Sequence, residues 1–185
     1  MKRQSALVFV LALALASLIP GRASADSGSA TYEYLVGSGF ICGLAPTACP
    51  DIAMADSGDT VEIAGSGTFS IHPNSATGGG TLTHKAPDGS VVGTGTWTAT
   101  GLASFHSYGS GAAQDFPSEF FGGRAVIKVH LVATSGLAAD GLLTVTCELG
   151  DKIPAGAMEG IRLNVQGLIN FNREVSGLTV YVLDP

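Results

Sequence analysis

A chain of 185 residues has room for one domain with a real core and little room for two. Its 15 acidic residues outweigh 9 basic ones, a net of −6, and no run of Lys or Arg offsets that balance. Nucleic-acid backbones and anionic membrane surfaces need positive potential at the contact, so the composition weighs against both as partners.

The first 25 residues read as a cleavable signal peptide. Lys2 and Arg3 precede an apolar run from Ala6 to Ile19, Pro20 and Gly21 break any helix, and Ala23-Ser24-Ala25 supplies the small residues that a signal peptidase needs. The run falls short of the roughly 20 residues that span a bilayer as a helix, and no later stretch is long and apolar enough. Cleavage after Ala25 is therefore expected to leave residues 26–185 as a single domain, secreted or periplasmic. Losing Lys2, Arg3 and Arg22 leaves 6 basic against 15 acidic residues, a net of −9.

An oxidising compartment favours pairing of two of the three cysteines. Cys42 and Cys49 flank a short loop with Gly43 and Pro46, which makes a Cys42–Cys49 disulfide the first expectation. The rival pairs Cys147 with either of them. Otherwise Cys147 shares a face with Leu143, Val145 and Leu149 and behaves as a small buried apolar residue.

Period-two alternation dominates the rest of the chain. Val61, Ile63, Phe69 and Ile71 lie on one parity; Ala125, Ile127, Val129 and Leu131 repeat the pattern, as do Ile161, Leu163 and Val165. One-sided strands of this kind belong to antiparallel sheets. Strands are predicted near 30–37, 60–72, 77–86, 91–107, 123–133, 140–149, 160–167 and 176–183, with loops at Ser110–Gly122 and Leu149–Glu159. Ala86-Pro87-Asp88-Gly89-Ser90 marks a hairpin: Pro presets the first turn position, Asp bonds its own backbone and Gly takes positive φ. With Ala86 opposite Ser90, Gly79 would face Trp97, Thr81 would face Gly95 and His84 would face Val92. Glycine, 26 residues, is about twice as frequent as usual and falls inside strand patterns, where it marks bends and bulges. The fold class is all-β, a single antiparallel domain forming an up-and-down barrel, with a sandwich as the alternative.

Chemistry-bearing residues are sparse. His72, His84, His106 and His130 show no metal-ligand spacing, so a cross-strand site of His84, His106 and His130 gives way to surface or mouth positions. Asp51, Asp56 and Asp59 match no calcium loop and read as a solvated turn. Neither a metal nor a cofactor is expected. Glu119, beside Phe120 and Phe121, is a candidate general acid without a visible partner. Phe105, His106, Tyr108, Glu119, Phe120 and Phe121 fall at a strand end and in the long loop, where a barrel mouth would use them to bind a ligand.

Gly95-Thr96-Trp97 resembles the Gly-x-Trp of calycin barrels, the lipocalin and avidin type, although in those families the motif lies in the first strand. The run from Gly65 to Tyr108 is similar to uncharacterised exported bacterial β-rich proteins, a resemblance that implies export and no particular chemistry. The reading is a secreted β-barrel binding module for a small ligand or glycan. The alternatives are an enzyme of cyclase or isomerase type using His84, His106 or Glu119, and a structural or protein-interaction role in the envelope.

Overall fold

The structure, a computed structural model, describes residues 30–184. The expected signal peptide, with its cleavage point after Ala25, lies outside the described residues. Among the described residues ten strands form one antiparallel sheet: β1 Thr31–Val36, β2 Asp51–Ala55, β3 Thr60–Ser70, β4 Ser75–Lys85, β5 Val91–Ser110, β6 Phe120–Ala133, β7 Ala138–Cys147, β8 Gly160–Val165, β9 Ile169–Ser176 and β10 Thr179–Asp184. Strands β2 to β9 follow one another as neighbours, and β9 pairs back onto β2, closing an eight-strand up-and-down ring.

The ring splits at one end. The first part of β3 pairs with β2 and its second part, Gly65–Ser70, pairs with β1; β1 pairs with β10, and β10 reaches Phe120 and Phe121 at the start of β6. At that end β1 and β10 thus replace the four strands β2, β9, β8 and β7, and the circumference shrinks. A narrower ring suits the rings of Tyr32, Phe69, Phe105, Phe121 and Tyr181, which fill it with centroids 4.8–5.6 Å apart.

The alternating residues read from the sequence face inward as expected: Val61, Ile63, Phe69, Ala125, Ile127, Val129, Leu131, Leu143, Val145, Ile161 and Leu163 are all buried. Thr94, Thr96, Thr98 and Thr100 face out. Trp97 lies in the core, donates from Nε1 to the Ala64 carbonyl at 3.3 Å, and covers Gly65, where a Cβ would sit 2.5 Å from the indole. Its cross-strand partner is Gly80, not Gly79. The turn at Pro87 forms as predicted, with Ala86 N–H donating to Ser90 O at 2.9 Å and Ser90 N–H to Asp88 Oδ1 at 2.9 Å. A bulge between His84 and Lys85 then moves the register by one, so Thr81 faces Thr96 and His84 faces Gly93.

Two strands escaped the pattern, β2 and β9, and these form the closing seam. The segment read as a solvated turn is strand β2, with Asp51, Ala53 and Ala55 buried. In β9 the residues fully buried are Phe171 and Glu174, separated by bulges against β2 that erase any period. The predicted loop over Ser110–Gly122 ends early, because Phe120 and Phe121 already belong to β6. Cys42 and Cys49 are bonded, and Cys147 is a buried free thiol.

Candidate functional site

The six residues expected to gather at a barrel mouth are spread over four environments. Phe105 and Phe121 belong to the aromatic plug inside the narrow end. His106 and Tyr108, 5.8 Å apart and edge to face, line a cavity on the outer wall. Phe120 stacks on Phe40 at 5.6 Å, over an apolar groove that includes Leu44, Phe116 and Val180. Glu119 is exposed; its backbone oxygen accepts from Leu183 N–H at 2.8 Å. The aromatic end is therefore a plug, and the expected mouth is filled by its own rings.

The opening lies at the opposite end, where the β2–β3, β4–β5, β6–β7 and β8–β9 turns meet. A cavity of about 160 Å³ is lined there by Val61, Leu82, Leu131, Leu163 and Phe171 below and by Leu137 and Leu168 at the rim. Small inward residues, Ala133 and Ala139, leave the space unfilled. Leu137 and Leu168 are 64% and 65% exposed, large apolar side chains held at the entrance. Among the described residues, His84 is the one ionisable residue in the lining. Its Nε2 meets Asp59 Oδ2 at 2.9 Å, and its ring stands edge-on to Phe171 at 5.5 Å. A carboxylate at Nε2 favours the tautomer that carries the proton there, which leaves Nδ1 as an acceptor. No residue pattern in the sequence announces this cavity, because its walls come from strand ends distant along the chain.

The histidines do not converge. His84 pairs with Asp59, His130 Nδ1 meets Asp140 Oδ1 at 2.8 Å, and among the described residues no three His, Cys, Asp or Glu side chains form a metal-holding group.

A third feature sits where the sheet forks. Asp51 at the start of β2 is fully buried, and among the described residues neither carboxyl oxygen has a hydrogen-bond partner. Burial first, and the neighbouring Glu159 second, push its pKa up to about 9, so it is neutral at pH 7; the Gly37 amide, which donates to Leu178 O at 3.1 Å, pulls weakly the other way. Gly177 lies against it at φ +120°, where a Cβ would come within 1.7 Å of Asp51 Oδ1. Glu159 accepts from Thr179 N–H at 2.7 Å, Thr179 Oγ1 at 2.8 Å and Glu148 N–H at 2.7 Å. It thereby satisfies backbone donors that lose strand partners as β7 and β10 part. Burial raises its pKa as well. Cys147 lies in the same cluster, and burial followed by the Glu159 charge holds its thiol protonated, the opposite of an activated nucleophile. The cluster supports the fork.

No family model, curated protein or solved structure matches this chain. Among the described residues no helix is long and apolar enough to cross a membrane.

Proposed function

We propose that the protein is an exported binding module that takes a small, largely apolar molecule into the open end of its barrel. The observation that carries this reading is the contrast in filling. One end of the ring is packed with aromatic side chains, while the other opens onto an apolar cavity with a single imidazole at hand. A volume of about 160 Å³ accommodates one ring or a short branched chain, comparable to the ~150 Å³ engineered cavity that binds benzene. A larger ligand would extend past Leu137 and Leu168, and a hydroxyl or N–H on it would find His84 Nδ1. Glycan binding draws less support, because the rings that would stack on a sugar, Phe105 and Phe121, are inside the plug. The leader-like first 25 residues and the Cys42–Cys49 disulfide support export. A calycin-like affiliation belongs to the same proposal, supported by the meander ring and by Trp97 in its core.

Titration calorimetry of residues 26–185 against single-ring aromatics, cyclic terpenoid alcohols and short fatty alcohols tests the reading. Binding is expected for at least one class and is expected to disappear in Ala133→Trp and Ala139→Trp, which fill the cavity. Silence across the panel, or binding that survives both variants, would overturn it. The imidazole held by Asp59 supports a second reading, proton transfer on a bound ligand. There His84→Gln would retain binding and abolish turnover.

A further inference from the structure

We infer that the outer wall carries a second site, distinct from the barrel mouth, for the oxyanion of a small molecule: a carboxylate, phosphate or sulfate group. The register builds it. Across adjacent strands His106 on β5 faces Arg124 on β6, Arg124 faces Thr146 on β7, and Thr144 faces Arg162 on β8. These five side chains, with Ser104, line a cavity of about 290 Å³ beneath the Gly156–Met158 stretch of the β7–β8 loop. Residues 26–185 hold only six Lys and Arg in a net charge of −9, yet two of the six converge here.

The two arginines differ in how they are held. Arg162 donates from Nε to Glu174 Oε1 at 2.6 Å, and the Glu174 side chain is only 5% exposed. That contact fixes the guanidinium plane and leaves its terminal nitrogens to donate elsewhere. Arg124 makes no ion pair among the described residues, although acidic residues outnumber basic ones more than two to one in residues 26–185. Two guanidiniums against one carboxylate leave the cavity a net positive charge in an acidic molecule. Guanidinium forks suit planar or tetrahedral oxyanions, which they bind through paired N–H donors. The Thr144, Thr146 and Ser104 hydroxyls and the His106 ring add neutral partners, and Met158, Ala157 and Val126 give an apolar side for the remainder of the ligand.

The probes are inorganic phosphate, benzoate and glucuronate, titrated at low ionic strength and followed by amide chemical shifts. Saturable binding of at least one is expected at millimolar concentration or below, with shifts centred on Arg124, Arg162 and Thr146. Arg124→Gln, an exposed position that leaves Glu174 paired, should weaken it at least about tenfold. Lys128→Gln, a cation elsewhere on β6, should change it less than twofold, and so should Ala139→Trp at the mouth. Preference for phosphate, benzoate or glucuronate would assign the oxyanion to a phosphate ester, an aromatic acid or an acidic sugar. No saturable binding of any probe at about 10 mM would overturn the inference. So would equal losses in Arg124→Gln and Lys128→Gln, since that pattern means diffuse surface charge.

Discussion

The two ends of the barrel are built from the same alternating strands and end up with opposite properties. At the narrow end, β1 and β10 replace four strands and large rings fill a small cross-section. At the wide end all eight strands of the ring continue, the inward positions shrink to Ala133 and Ala139, and Leu137 and Leu168 stand exposed at the rim. Circumference and side-chain size together decide whether a barrel end is filled or left open.

The largest effect belongs to the plug. Phe69 is 1% exposed among Tyr32, Phe105 and Tyr181, so Phe69→Ala should cost ~3–5 kcal/mol in urea unfolding, with no specific effect on mouth binding beyond lost fold. A cost below ~1 kcal/mol would mean that the narrow end is not packed as described.

Next comes Asp51, at the fork that makes the ends unequal. In the folded state its carboxyl keeps a proton up to about pH 9, whereas the unfolded chain releases it near its ordinary value of 3.8. The folded state then binds more protons between those values, so stability falls as pH rises through that window and is fully present only below it. Asp51→Asn removes the titration while keeping the shape. Melting curves should show the variant more stable at pH 8, with the gap narrowing steadily as pH falls and closing toward pH 4. A gap that does not change with pH would refute a protonated Asp51.

The Cys42–Cys49 bridge closes a loop with a sequence separation of 7, next to that fork. Replacing both by Ser should cost about 2–3 kcal/mol on the chain-entropy estimate, measured by denaturant midpoint. Smallest of all are the rim changes. Leu137→Ser and Leu168→Ser should each shift stability by less than ~0.5 kcal/mol, because both side chains are already largely in water. The same pair should weaken any ligand seated in the mouth. A large loss of stability there would mean that the rim is structural.

Much of this fold was legible residue by residue. Strands such as β3, β6 and β8 alternate cleanly because one face is dry and the other wet, and the Pro87-Asp88-Gly89 turn carries its own chemistry. The bulge after that turn was not legible, since a register shift of one leaves the sequence period of each strand intact on either side. The seam was hidden for a different reason. Buried positions in β2 are Ala53, Ala55 and an uncharged Asp51, and those in β9 are Phe171 and Glu174, so neither strand shows an apolar repeat. Of the residues expected at a site, His106 and Tyr108 do line one cavity, but with Arg124 and Arg162, which lie 16 or more positions away and gave no local signal.

Local pattern alone reads out an antiparallel all-β domain, its inward faces and the tight hairpin, and ranks Cys42–Cys49 first among the pairings, because each depends on neighbours within a few residues. Only the tertiary structure decided that β9 closes on β2, that β1 and β10 narrow one end, and that the opening lies beside His84 and not beside Phe120 and Phe121. Those outcomes depend on which distant strands meet and in what register, and a two-residue period is silent on both.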